Sequence, residues 1–178
     1  HRVAQALADR FFIVMPDLRG YGDSALKPGV AELPDHSQHS KRAMAAHVVV
    51  CVHGLSRQGR DFDTLARSLS AHARVICPDV VGRGQSDWLA DPLGYQLPVY
   101  AADMLALLAQ VHQQAPITTL DWVGTSMGGL IGMAVAGQPG LPLPAPVRRL
   151  VLNDVGPVIQ WQALQRIGQY LGYPARFD

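Results

Sequence analysis

The sequence lacks an excess of charge of either sign and lacks any long apolar run. Its 15 basic and 14 acidic residues give a formal net charge of +1, and the basic residues are scattered along the chain. A balance of this kind provides no electrostatic footprint for nucleic acid or for an anionic membrane. No apolar run reaches the roughly 18 residues that a membrane-spanning helix needs. We therefore expect neither nucleic acid nor a membrane as a partner.

Cysteine is scarce, and both cysteines, Cys51 and Cys77, lie within apolar, strand-like runs. Such positions are typical of buried free thiols rather than of a disulfide framework or a metal site. We expect no metal, no cofactor and a reducing, cytoplasmic location, while nothing in the pattern favours a particular oligomeric state. The chain opens on His1 within a helical pattern and without a charged-then-apolar leader, so we expect a cut rather than a processed start.

What the sequence does contain is enough apolar material for one globular domain, with 48% hydrophobic residues among 178. Apolar, strand-like runs alternate with helical patterns along most of its length. This alternation favours right-handed crossovers and an α/β fold, a parallel sheet with helices on both faces. The predicted strands are 48–52, 75–77, 120–123 and 149–153, and the predicted helices are 61–69, 100–111 and 129–136.

One helix-strand-loop unit occurs twice. Residues 12–24, FIVMPDLRGYGDS, match residues 74–86, RVICPDVVGRGQS, at an offset of about 62 positions. Two distant copies do not form a solenoid, so the repeat indicates duplication or fusion. The first copy is followed by a linker rich in Pro, Gly, His and Ser over 27–41. We therefore divide the chain into a segment 1–46 and a domain 47–178.

The duplicated strand at residues 12–15 needs a place in the sheet. It either takes a position that another strand normally fills or remains an unpaired edge, which would invite aggregation. We expect it to lie beside the strand at Val48.

The pattern GTSMG at residues 124–128 stands between a predicted strand and a predicted helix. A G-x-S-x-G at such a junction presents the serine oxygen at the top of the sheet, and the glycines suit a strained turn. Ser126 is therefore a candidate nucleophile. The alternative is a serine in a phosphate-binding loop, but neither G-K-[ST] nor G-x-G-x-x-G accompanies it.

Four motifs in order carry a family resemblance: His53-Gly54, the pattern D-x-x-G-x-G-x-S at 79–86, GTSMG, and LVLNDVGP at 150–157. From Val48 to about Asp178 the chain resembles the first part of an α/β-hydrolase domain. The first segment, with PDLRGYGDS at 16–24 and SKRAM at 40–44, is similar to haloacetate dehalogenases of the same fold.

The resemblance implies the parts of a catalytic site. The oxyanion hole would be formed by the backbone N–H groups of Met127 and Leu55, in a loop that includes His53 and Gly54. We interpret His53 as a loop histidine held by hydrogen bonds rather than as the catalytic base. Asp154 is a candidate acid or, alternatively, a structural turn residue. Asp79 and its counterpart Asp17 are expected to hold the glycine loops.

The family order is serine, acid and then histidine, yet no histidine follows His112. We interpret His36, His39, His72 and His112 as solvated. In relatives a helical cap and a late histidine follow, and residues 161–171 would begin that cap. The resemblance thus implies a serine hydrolase of an ester or related carbonyl substrate, a small molecule, incomplete in this chain. The alternatives are a haloacetate dehalogenase-related hydrolase and a non-catalytic truncated or fused chain.

Overall fold

The computed structural model describes residues 13–14 and 46–158, together with 162 and 165. Strands and helices alternate through this part of the chain, as the sequence predicts. The elements are β1 (Ile13–Val14), β2 (His47–Val52), α1 (Asp63–Leu69), β3 (Arg74–Pro78), α2 (Leu97–Gln114), β4 (Thr119–Thr125), α3 (Met127–Gly137) and β5 (Val147–Asn153). Short 3-10 helices lie at Gly59–Phe62 and Pro92–Gly94.

The strands form one sheet in the order β1-β3-β2-β4-β5. Strands β2, β3, β4 and β5 pair in parallel. Val52 is in register with Gly124, and Thr125 with Asn153, so β2, β4 and β5 end at the same edge. That edge is where open α/β sheets place their ligand sites.

The two faces of the sheet bury different sets of side chains. On β2, Val48, Val50 and Val52 face a core that includes residues of α2 and α3. Val49 and Cys51 point the other way, into a smaller core with Ala66 of α1. Burial on both faces explains the continuous apolar run in this strand. The predicted fold, a parallel sheet with helices on both faces, is confirmed.

The helices differ from the sequence prediction at their ends. The helix predicted over 61–69 begins as the 3-10 turn Gly59–Phe62 and becomes α-helical at Asp63. Helix α2 exceeds the predicted 100–111 at both ends, and Pro98 fits its first turn because no N–H is needed there. None of the helices in the described residues is long and apolar enough to cross a membrane.

His112 corrects an expectation. It was expected to be solvated, but the side chain is half-buried and its Nδ1 accepts a hydrogen bond from the Ile117 N–H at 3.1 Å. The imidazole thereby connects the end of α2 to the chain entering β4, so its role is structural.

The position of β1 also differs from expectation. Instead of lying beside β2, it pairs antiparallel with β3, with Ile13 opposite Pro78 and Val14 opposite Cys77. Strand β2 is already flanked by β3 and β4, so both of its hydrogen-bonding edges are occupied. Strand β1 instead pairs with the outer edge of β3, which no other described strand occupies. The linker 27–41, the motifs at 16–24 and 40–44 and the cap segment 161–171 lie outside the described residues, apart from 162 and 165.

A polar cluster connects three strands near their amino ends. The Asp121 carboxylate of β4 accepts hydrogen bonds from Arg148 of β5, at 3.0 Å from Nε and 2.6 Å from Nη2. Nε2 of His47, on β2, lies 2.9 Å from the same carboxylate. The bonds from Arg148, and to a lesser degree from His47, hold the Asp121 pKa below its usual range against the opposing effect of burial.

Asp121→Asn should therefore weaken the fold in a pH-dependent way. A carboxylate whose pKa is lower in the folded state stabilises the protein above its unfolded pKa of about 4, and this stabilisation is lost as pH falls through the folded-state pKa. We expect a loss of about 1 to 3 kcal/mol in the free energy of unfolding at pH 7. Urea titrations at pH 7 and at acid pH should show the difference shrinking as the wild-type carboxylate is protonated.

The matched control is Asp61→Asn, which removes the exposed ion pair with Arg57. Because exposed pairs contribute about 0 to 1 kcal/mol, this variant should remain close to wild type. Equal losses in both variants at pH 7 would contradict a special role for the cluster.

Candidate active site

Ser126 occupies a strained turn between β4 and α3. Its φ of 49° and ψ of −114° lie in a region that non-glycine residues rarely adopt. The Ser126 N–H donates to the Asn153 carbonyl at 2.8 Å, and the Ser126 carbonyl accepts from the Gly129 N–H at 2.9 Å. The turn is thus fixed on one side by β5 and on the other by the first turn of α3. Neighbouring structure holds the strained conformation in place.

The two glycines of the turn are required by close backbone contacts. A Cβ on Gly124 would overlap the backbone of Gly128 and Gly129, and a Cβ on Gly128 would overlap the carbonyl of Val52. Nε1 of the buried Trp122 donates to the Gly128 carbonyl at 3.1 Å. The strand, the helix and the end of β2 therefore meet at a distance that only glycine permits.

The loop after β2 borders the serine. A Cβ built on Gly54 would lie 3.6 Å from Cβ of Ser126, so the two backbones approach closely. Leu55 follows with a partly exposed side chain, whereas Met127 is buried as the first residue of α3. The N–H at a helix start has no partner within the helix. The structure brings both predicted oxyanion segments beside Ser126, and their N–H roles stay a prediction.

His53 is buried and hydrogen-bonded at both ring nitrogens. Its Nε2 lies 2.9 Å from the Val80 N–H, which can only donate, so Nε2 is an acceptor. Nδ1 therefore carries the proton and donates to the Gly54 carbonyl at 2.7 Å. Burial lowers the pKa of His53, which favours this neutral form. Neither nitrogen is left for Ser126, and the geometry favours a loop histidine over a base.

These bonds also orient a peptide group. The Gly54 carbonyl accepts from His53 Nδ1 and, at 3.2 Å, from the Arg57 N–H. In a planar trans peptide the N–H of the next residue points opposite to that carbonyl. Anchoring the Gly54 carbonyl therefore restricts the direction of the Leu55 N–H.

Asp79 holds the glycine-rich loop. The carboxylate is buried, and its two oxygens accept from the Gly59 N–H at 2.6 Å and the Gln85 N–H at 2.9 Å. Ser86 Oγ donates to the Asp79 carbonyl at 2.7 Å. Both oxygens serve the backbone, as expected for a residue that holds loops rather than one that takes part in catalysis.

Asp154 lies directly after β5, at the same edge as Ser126. The register of Thr125 with Asn153 places it one residue beyond that pair. The side chain is exposed and φ is 56°, a left-handed conformation that Asp tolerates better than most residues. The structure thus brings the candidate acid to the site edge, and its conformation equally suits a turn residue.

Cys51 and Cys77 are free and buried on the neighbouring strands β2 and β3, as the sequence predicts. A hydrogen bond with Cys51, together with burial, raises the pKa of Cys77. Among the described residues, no group of three or more His, Cys, Asp or Glu side chains could hold a metal ion. The thiols therefore belong to the core.

Sequence reasoning missed one residue of this region, Arg83, whose Nε donates to the Leu55 carbonyl at 3.0 Å. The sequence feature that could have identified Arg83 is its position between the two glycines of the motif at 79–86. It also missed His47, which reaches Asp121. Contacts of this kind join residues distant in sequence, and no spacing pattern encodes them.

A serine in a strained strand-to-helix turn at the carboxyl edge of a parallel sheet is typical of the α/β-hydrolase fold. The family described as "alpha/beta hydrolase fold" matches residues 47–174. The chain belongs to this family, as its motifs indicate.

Relatives include a 3-hydroxybutyrate-oligomer hydrolase of Cupriavidus necator, 55% identical over 73% of this chain and 42% of that protein. A 2-hydroxy-6-oxo-2,4-heptadienoate hydrolase of Pseudomonas putida is 37% identical over 61% of this chain and 37% of its own. A crystal structure of an α/β-hydrolase from Novosphingobium aromaticivorans has a TM-score of 0.60 and 42% identity, covering 71% of this chain and 41% of that one. The chain spans less than half the length of these relatives.

Gly128→Ala should disrupt the turn, because the added methyl group would overlap the Val52 carbonyl. We expect a loss of several kcal/mol in the free energy of unfolding or failure to accumulate as folded protein. Gly137→Ala is the matched control, since nothing lies within 4 Å of a Cβ there. Within α3 that change should be neutral or stabilise by up to about 1 kcal/mol. Thermal unfolding of both variants checks this, and similar midpoints would contradict it.

The His53 imidazole should titrate below its ordinary value of about 6.5. Because the folded-state pKa is the lower one, its contribution to stability is full above the unfolded pKa and falls as pH drops through the folded-state pKa. An NMR titration of the imidazole Cε1–H signals checks this. A His53 pKa at or above 6.5 would contradict the buried, neutral assignment.

Proposed function

We propose that the protein is a serine-dependent hydrolase of esters or related carbonyl compounds, with Ser126 as nucleophile. The observation that carries this proposal is the conformation of Ser126, with φ at 49° and held by hydrogen bonds from both sides. Strain kept in place by surrounding structure is typical of functional positions. A serine needed only for packing would not require a strained backbone conformation.

The proposed reaction has two steps. Ser126 Oγ bonds to the substrate carbonyl carbon, and the carbonyl oxygen becomes an oxyanion that accepts hydrogen bonds from the Met127 and Leu55 N–H groups. The C–O bond to the leaving group breaks, and the departing alkoxide takes the proton that the base removed from the Ser126 hydroxyl, leaving an acyl-enzyme ester on Ser126. Water then attacks this ester, releasing the carboxylic acid and restoring the hydroxyl.

The serine proton needs a base, and no histidine follows Ser126 in the sequence. The chain covers 42% of the Cupriavidus necator relative. We propose that the base lies in a segment that corresponds to the part of such relatives beyond the matched region. Asp154 would orient that imidazole if it is the acid.

The substrate proposal follows the relative with 55% identity, which is a 3-hydroxybutyrate-oligomer hydrolase. Its name describes an oligomer of a hydroxy acid, and we propose a small ester of this kind as substrate. A cytoplasmic location remains part of the proposal, in keeping with the free thiols.

Two alternatives stay open. The haloacetate dehalogenase resemblance rests on 16–24 and 40–44, which lie outside the described residues. Dehalogenases of that type use an aspartate at the turn, where this chain has Ser126. The second alternative is a non-catalytic truncated or fused chain.

A fluorophosphonate probe should label Ser126 weakly or not at all in the 178-residue chain. Loss of the base costs a serine hydrolase about 10⁶ in kcat. Labelling should become strong when residues 47–174 replace the matching segment of the Cupriavidus necator enzyme, whose remaining sequence would supply the base. That chimera should hydrolyse 3-hydroxybutyrate oligomers. Mass spectrometry of labelled peptides and release of monomer are the measurements.

Ser126→Ala in the chimera is the control and should abolish both labelling and hydrolysis. A folded chimera that neither labels nor hydrolyses would refute the proposal. Strong labelling of the 178-residue chain, lost in Ser126→Ala, would show that a base is present within it. Halide release from a haloacetate that survives Ser126→Ala would favour the dehalogenase alternative.

A further inference from the structure

The glycine-rich loop at 79–86 has no part in the reaction steps described above, yet its backbone is tightly specified. Gly82 and Gly84 have φ values of 77° and 55°. A Cβ on Gly82 would overlap the Tyr95 ring, and a Cβ on Gly84 would overlap the Asp79 carboxylate. The loop therefore presents Arg83 between two positions that only glycine fills without strain.

The Arg83 guanidinium is held on several sides. Nη1 donates to the Val81 carbonyl at 2.9 Å and to Tyr100 Oη at 3.0 Å. Cζ lies 5.5 Å from the Tyr95 ring centre and 5.1 Å from that of Tyr100, within the range of cation–π contacts. The side chain thus has one preferred position.

The group that Arg83 reaches from this position is the Leu55 carbonyl, 3.0 Å from Nε. A half-buried positive charge is thus directed at a backbone oxygen. Hydrogen bonds from a charged donor are about twice as strong as neutral ones.

Both peptide groups that flank the Leu55 Cα are anchored from outside the segment. His53 Nδ1 holds the carbonyl of the preceding peptide, and Arg83 holds that of the following one. The first of these peptides contains the Leu55 N–H. With two planar peptides fixed, φ and ψ of Leu55 are fixed as well, and the N–H cannot turn away.

We propose that Arg83 is a positioning residue for the oxyanion hole: by holding the Leu55 carbonyl from the loop after β3, it fixes the direction of the Leu55 N–H. This inference rests on the proposed function, in which that N–H stabilises the oxyanion. The D-x-x-G-x-G-x-S loop is therefore a support that reaches across from β3 to the site. Removing a whole oxyanion donor costs about 10² to 10³ in kcat, and a misdirected donor should cost less.

The test reads the N–H vector itself, in the 178-residue chain, by ¹⁵N relaxation and residual dipolar couplings. In wild type, the Leu55 order parameter should be about 0.85, typical of rigid backbone. In Arg83→Met it should fall below about 0.6, with a reduced dipolar coupling. Arg83→Lys should give intermediate values, because an ammonium keeps the charge but lacks the planar fork.

Arg60→Met is the matched control, since that exposed arginine pairs with Asp63 on the helix side. It should leave Leu55 unchanged. If Arg83→Met does not fold, Tyr100→Phe tests the same support, because it removes one hydrogen bond to the guanidinium and retains the ring. A folded Arg83→Met or Tyr100→Phe variant with wild-type values at Leu55 would overturn the inference.

The catalytic consequence is measured in the chimera described above. Arg83→Met should lower kcat at least about tenfold with KM unchanged, since the support acts on the transition state. Unchanged kcat despite a mobile Leu55 would overturn the positioning role. Because the NMR readout needs neither Ser126 nor turnover, an inactive chimera would refute the proposed function and leave the structural result standing.

Discussion

The backbone conformation of Ser126 is the constraint on which the rest of the site depends. A φ of 49° at a non-glycine residue persists only where surrounding structure enforces it. Here β5 holds the Ser126 N–H through Asn153, and α3 begins on the Ser126 carbonyl. The same close approach excludes side chains at Gly124 and Gly128. The parallel order of β2, β4 and β5 is what brings these backbones together at one edge, so the fold and the turn require each other.

Around the turn, polar groups that are costly to bury are satisfied by loop backbone. His53 forms hydrogen bonds with the Gly54 carbonyl and the Val80 N–H, while Asp79 accepts hydrogen bonds from the Gly59 and Gln85 N–H groups. An unpaired buried donor or acceptor costs about 1 to 3 kcal/mol, so each bond restricts the loops to one arrangement. The consequence is a preorganised backbone, so that in the proposed reaction its N–H groups would need no reorganisation when charge develops on a substrate oxygen.

Local sequence patterns predicted the strands and the serine turn, because both depend on residues that are close together in the sequence. The strands at β2, β3, β4 and β5 follow from apolar runs, and the serine turn follows from glycines that its geometry requires. The position of β1 could not be predicted from its residues, because it depends on which sheet edge is open. The Asp121 cluster and the Arg83 contact join side chains across strands and loops, through distances that no spacing encodes. Helix α2 begins earlier than its apolar periodicity predicts, and Pro98 suits the first turn because no N–H is needed there.

The proposed serine catalysis has two requirements, which different parts of the described structure would meet. Fixing the proposed nucleophile and orienting the proposed oxyanion donors would need rigid backbone, and the buried sheet with its glycine turns supplies it. Directing a base needs a carboxylate beside an imidazole, and Asp154 lies exposed after the edge strand β5. An exposed carboxylate is solvated and interacts weakly with a partner, whereas in a water-excluded site the same charge acts strongly. Asp154 could therefore serve as the acid only if further structure covered this edge, whereas the half-buried Ser126 and the buried His53 are already held by backbone hydrogen bonds.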